Sequence, residues 1–156
     1  MSSICACASD RGCCIRIKGR GTMAHSQAAH GFAVRAIEAG APAVTFDLSA
    51  CDYLDSTFLG CLIDLHQQFS RSITIAASAD DIRRLFGPTQ LDKLLHCVSS
   101  PPDCYGDPVP LADDDKNRGD LAAHVTLCHR RLAEIDGPMQ PVFARLAAQL
   151  EREQAH

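Results

Sequence analysis

No stretch of this sequence approaches the roughly 20 apolar residues of a membrane-spanning helix. The opening segment, Met1 to Asp10, has neither the basic start nor the apolar centre of a secretion signal. These absences lead to the expectation of a cytoplasmic protein without direct membrane insertion. A basic surplus is also missing: 15 Lys and Arg stand against 19 Asp and Glu, a formal charge of -4. Nothing therefore draws the chain towards nucleic acid. There is no Gly-x-Ser-x-Gly and no phosphate-binding glycine loop, Gly19-x-Gly21 being too short to count. No internal repeat or low-complexity tract is present. Cysteine is plentiful, but its nine copies are an odd number without framework spacing, which argues for reduced thiols rather than disulfides.

With 156 residues, 46% of them apolar and 22% charged, the chain has the size and composition of one globular domain with an appendage. Residues 1–12 lack periodicity and are expected to form a flexible, Cys-containing tail. Cys14-Ile15-Arg16-Ile17-Lys18 alternates as a strand with one wet face, closed by a turn at Gly19-Arg20-Gly21-Thr22. From Ser26 to Glu38 apolar residues recur at helical spacing, and Gly40 with Pro42 ends that helix. Val44-Thr45-Phe46-Asp47-Leu48 reads as a buried strand. After Asp55, a good N-cap, Leu59, Leu62, Ile63 and Phe69 mark a helix. Ile73 to Ala77 is the next strand, followed by a short helix capped by Asp80 or Asp81 and stopped by Gly87-Pro88. A helical turn, Leu91 to Leu95, leads to a short closing strand at Val98. Four prolines and Asp113-Asp114-Asp115 between Ser99 and Gly119 read as a linker. Leu121, Val125, Cys128, Leu132 and Ile135, then Val142, Phe143, Leu146 and Leu150, make two helical stripes joined at Asp136-Gly137-Pro138. Such a hairpin must pack on the core, on a second copy as a homodimer, or on a partner.

Ser56 follows the N-cap Asp55 where a strand runs into a helix, which gives it an exposed hydroxyl near unpaired backbone N–H groups. A phosphate there would be favoured by the helix terminus and repelled by Asp55 and Asp52, and would disrupt a docking surface. Read from spacing alone, Asp55, Ser56 and Thr57 are a helix cap.

Val44 to Leu48, followed by Asp52-Tyr53-Leu54-Asp55-Ser56-Thr57-Phe58-Leu59-Gly60, resembles the central signature of STAS domains of the anti-sigma factor antagonist family. The order of elements over residues 13–105 is also similar. The resemblance implies an α/β fold with a four- to five-stranded mixed sheet and helices packed on one side. The segments 106–119 and 120–156 would then be an acidic, Pro-containing linker and a helical hairpin extension. It further implies partner switching in bacterial transcription regulation: binding of an anti-sigma factor that is also a switch serine kinase, release on phosphorylation of Ser56, and reversal by a matching phosphatase. Ser56 is the matching serine and Thr57 the second candidate acceptor. The expected partner-binding residues are Asp55, Ser56, Thr57, Phe58, Gly21 and Thr22. Phe58 stands where the family often has a small residue, and the hairpin is not part of the minimal domain. The alternative is a scaffold subunit of a transporter or signalling assembly that is not phosphorylated.

Other chemistry is weakly signalled. Cys5, Cys7, Cys13 and Cys14 lack zinc spacing, so no metal site is assigned. Cys51, Cys61, Cys97 and Cys128 lie on or beside apolar stripes as small hydrophobes. His124 and His129, five apart, are expected at the surface, and His25, His30, His66 and His96 lack triad spacing. The triple Asp is read as solvated. No cofactor and no catalysis are expected, Ser56 having no recognisable base.

Overall fold

The protein is described by a computed structural model that covers residues 2–111 and 118–154. Period-two alternation builds a sheet of six strands: β1 (Ser3–Ser9), β2 (Gly12–Gly21), β3 (Ala43–Leu54), β4 (Ile73–Ala76), β5 (Cys97–Val98) and β6 (Cys104–Pro110), in the order β5-β4-β3-β2-β1-β6. β2, β3, β4 and β5 run parallel, while β1 pairs antiparallel with both β2 and β6. The helices are α1 (Met23–Glu38), α2 (Ser56–Phe69), α3 (Ala79–Phe86), α4 (Arg118–Ala133) and α5 (Gln140–Gln154). The parallel strands are linked through α1, α2 and α3, as crossover connections require. Ile15, Ile17, Val44, Phe46 and Leu48 of the sheet meet Ala29, Ala33, Leu62 and Ile63 of the helices, all at 0 or 1% exposure. Each large apolar side chain buried in this way contributes about 1.5–3 kcal/mol.

The sheet is wider than expected, because the first residues are not a tail. Ile4 and Ala6 enter the core while Cys5 and Cys7 point to the other face, and β1 pairs with β2 from Ser3↔Lys18 to Ser9↔Gly12. Alternating Cys with Ala conceals this pattern, since both are small and neither reads as polar. Gly12 closes the hairpin at φ +129, where a Cβ would lie 2.3 Å from the Ala43 carbonyl oxygen.

Part of the expected linker is the edge strand β6. Pro108 and Pro110 are tolerated there because an edge strand leaves half its backbone unpaired, and the register against β1 shifts between Ala6 and Ala8. Asp113 to Asp115 lie outside the described residues. The expected turn at Gly19 to Thr22 is instead a continuation of β2 to Gly21, with Gly19 at φ 76 beside a register shift against β3. α3 is capped by Ser78, whose hydroxyl accepts the Asp81 N–H at 3.2 Å, and not by either aspartate. No helix among the described residues is long and apolar enough to cross a membrane.

The hairpin of α4 and α5 packs on the chain's own core. Cys128, Leu132, Phe143 and Ala147 are all buried. The core covers these residues of the two stripes, while Val142 stays exposed and Leu121, Val125, Ile135, Leu146 and Leu150 are half-buried.

Candidate functional site: a serine held beneath the helical hairpin

At the end of β3 the backbone of Asp55 is extended, at φ -76 and ψ 170, and its carboxylate accepts the Phe58 N–H at 2.8 Å. This is the cap expected from the sequence. The Asp55 N–H in turn donates to the Gly21 carbonyl at 3.0 Å, which fixes the end of β2 against the start of α2. A Cβ at Gly21 would lie 2.6 Å from Leu54 Cδ2 and 3.1 Å from Phe58 Cδ2, so a larger residue there would displace the Leu54 side chain. Thr22 follows as the N-cap residue of α1. Gly21, Thr22, Asp55 and Ser56 therefore gather at one end of the sheet.

Two expected site residues point elsewhere. Thr57 is buried at 4% exposure, and Phe58 at 0% lies edge-on to Phe46 with ring centroids 6.4 Å apart. Both face inward from the first turn of α2, so Phe58 offers no surface to a partner and Thr57 no accessible hydroxyl. Ser56 and Asp55 keep partial exposure.

The Ser56 hydroxyl is not free either. Its Oγ lies 2.7 Å from Nε2 of His129 on α4. His129 Nδ1 lies 2.8 Å from the Val125 carbonyl oxygen, a contact only an N–H can satisfy. With the ring neutral, this tautomer leaves Nε2 to accept the serine proton, an assignment made from the hydrogen-bond network. His124 and His129 are buried at 9% and 3% exposure, contrary to the surface position expected. Both flank Cys128, and the face that α4 buries is wide enough to include them.

Polar contacts and a close helix crossing hold α4 in place. Ser26 donates to the Met23 carbonyl, so His124 Nε2–H donates to Ser26 Oγ at 2.9 Å. Burial, with His30 nearby, pushes His124 down from 6.5 to about 4, although Asp64 acts in the opposite direction. Asp64 on α2, at 0% exposure, accepts from Arg131 at 2.9 Å, from His30 at 2.7 Å and from Gln68 at 2.7 Å. Burial alone would raise the Asp64 carboxyl, but hydrogen bonds from His30 and Arg131 outweigh it and hold the group below its ordinary value. His30, which lacks a carboxylate at triad spacing, thus acquires one through the fold. At Gly60 the helices cross so closely that a Cβ would lie 2.2 Å from the Cys128 carbonyl oxygen.

Ser56 also lines a cleft of about 270 Å³ with Tyr53, Leu59, Arg84, Met139 and Phe143 among its walls. Arg84 is the cation there, donating to the carbonyls of Asp52 and Cys51 and to Asp81. α5 closes one side of the cleft, so both hairpin helices border the serine. A phosphate on Ser56 would gain from the helix N-terminus but could not keep the short contact to His129.

No family model and no curated protein matches the chain. A solved structure does: an anti-sigma factor antagonist from Mycobacterium paratuberculosis is similar with a TM-score of 0.54 at 20% identity, over 64% of this chain and 87% of that one. The chain has the fold of that antagonist. At this identity the likeness concerns the antagonist fold and its STAS-like sheet and helices, as the sequence resemblance implies. Because 87% of the antagonist is spanned by 64% of this chain, a substantial part of this chain has no counterpart there. The antagonist fold thus presents Ser56 at its strand-to-helix junction, and His129, which the sequence did not signal, comes from the hairpin.

Proposed function

We propose that the chain is a regulatory protein-binding module of the anti-sigma factor antagonist type, acting in the cytoplasm of a bacterium by partner switching rather than by catalysis. It binds an anti-sigma factor that is also a switch serine kinase; phosphorylation of Ser56 ends that binding and a matching phosphatase restores it. One observation carries this reading: Ser56 is the first residue of α2, at the end of β3, in a fold shared with an anti-sigma factor antagonist. Gly21, Thr22 and Asp55 form the rest of the docking surface, while Phe58 supports it from within. A dianionic group added at that point changes the charge and shape of the surface most where the partner would sit. Since His129 holds the hydroxyl, that hydrogen bond must break before a kinase can use it.

Pulldown of the wild-type chain, Ser56→Ala and Ser56→Asp with the switch kinase and ATP tests the proposal. Wild type and Ser56→Ala should bind, with phosphate reaching only the wild type, and Ser56→Asp should not bind. Equal binding by all three, with no phosphate on Ser56, would remove it.

The Ser56–His129 contact also favours a second reading, in which the histidine activates the serine as a nucleophile. A serine-reactive fluorophosphonate probe decides it. Labelling of Ser56 that disappears in His129→Ala would support catalysis, and absence of labelling would dismiss it.

A further inference from the structure

Three thiols distant in sequence meet on the face of the sheet turned away from α1 and α2. Cys7 and Cys14 are directly opposed in the register of β1 and β2, and Cys104 comes from the neighbouring edge strand β6. Their sulfur atoms all lie within 4.8 Å of one another. The alternation of each strand puts them there: Ile4, Ala6, Cys13 and Ile15 enter the helix-covered core, so Cys7 and Cys14 take the opposite side. We propose that Cys7, Cys14 and Cys104 bind one thiophilic d10 metal ion, of the zinc(II) or copper(I) type.

The geometry is close to what such an ion needs. Metal–sulfur bonds of about 2.3 Å place thiolates about 3.8–4.0 Å apart around a tetrahedral or trigonal centre, so side-chain rotation closes the gap while the strand pairing keeps the backbones fixed. Soft thiolate ligands select these ions over magnesium or calcium. Three thiolates around a divalent ion leave one net negative charge; Arg16, on the same face, favours the thiolate of Cys7, while Asp47, paired to Arg16 at 3.0 Å, acts against that of Cys14. Cys14 and Cys7 are buried, whereas Cys104 at the edge is partly exposed, which leaves a path for the ion and for a fourth, exogenous ligand. Binding replaces three S–H protons by three metal–sulfur bonds, with the protons released to solvent and no change of oxidation state. Cysteine spacing along the sequence concealed the trio, because β6 lies far from the other two.

The full chain, reduced and then handled without oxygen, is titrated with cobalt(II) as a spectroscopic stand-in for zinc(II), and separately with copper(I) against a chromophoric chelator. The expected result is one ion per chain, a thiolate-to-metal charge-transfer band in the cobalt arm, and a loss of affinity of more than about tenfold in Cys7→Ser, Cys14→Ser and Cys104→Ser. Cys51→Ser should match the wild type. Tight binding in one arm alone identifies the ion as zinc-like or copper-like. Cys104→Ser, at the least buried position, is the variant that decides if Cys14→Ser fails to fold. Unchanged binding in Cys104→Ser, or no stoichiometric binding of either ion, overturns the proposal. Formation of a Cys7–Cys14 disulfide on exposure to air, without binding of either ion to the reduced chain, overturns it equally.

Discussion

The Ser56 hydroxyl donates a 2.7 Å hydrogen bond to His129, a residue 73 positions further along the chain. A side chain from the helical hairpin therefore holds the hydroxyl of the first residue of α2. Folding joins Ser56 to the helical hairpin, and the strength of that contact can be measured.

A double-mutant cycle on this pair should show coupling. Ser56→Ala and His129→Ala should each destabilise the protein by about 1 kcal/mol, and the double variant should cost about 1 kcal/mol less than their sum. Chemical denaturation of the four proteins reads the coupling directly. Strict additivity would mean that the contact contributes nothing.

Gly60→Ala should loosen the hairpin. Its methyl group would sit 2.2 Å from the Cys128 carbonyl oxygen, and overpacking of this kind costs about 1–3 kcal/mol. Hydrogen exchange should rise across α4 and at Ser56 while the β2–β3 amides stay protected. Loss of protection throughout would show instead that the hairpin and the sheet unfold as a unit.

Acid should weaken the hairpin in two stages. His124 is depressed to about 4 from 6.5 by burial, so the unfolded chain binds its proton first. The stability that depends on neutral His124 is fully present above about pH 6.5 and is lost as pH falls towards 4, by up to about 3 kcal/mol. Asp64 is also held below its ordinary value, so its contribution is present above that value and is lost as pH falls further. Denaturation midpoints between pH 7 and 4 should fall for the wild type and change less for His124→Gln. Parallel slopes would contradict the assignment to His124.

Asp64→Asn should cost about 2 kcal/mol, since the residue accepts from Arg131, His30 and Gln68 at once and charge-assisted bonds are the stronger ones. Thermal or chemical denaturation checks this. A neutral result would show that Arg131, partly exposed, is solvated equally well without its partner.

The central βαβ units were legible because their signals are local. Val44 to Leu48 is β-branched and apolar, Asp55 caps the helix that begins at Ser56, and Ile73 to Ala77 repeats the strand pattern. β1 and β6 were not, because Ala and Cys alternate without a polarity contrast and the prolines of β6 read as a linker unless an edge position is known. Ser56 was placed at the correct junction, but its environment was not. His129 reaches it only through the packing of α4 on α2, which leaves no trace in spacing, and the inward direction of Thr57 and Phe58 depends on how α2 rotates against the sheet. The three-thiol cluster was hidden for the same reason, being a product of strand register.

The proposed role of Ser56 as a switch is tested most directly by one measurement: the affinity of the full chain for a kinase-type anti-sigma factor before and after stoichiometric phosphorylation, with the modified residue mapped by mass spectrometry. Phosphate should be found on Ser56 and not on Thr57, and the affinity should fall by more than about tenfold, or about 1.4 kcal/mol. Phosphate at another residue, or an affinity unchanged by phosphate on Ser56, would contradict that role.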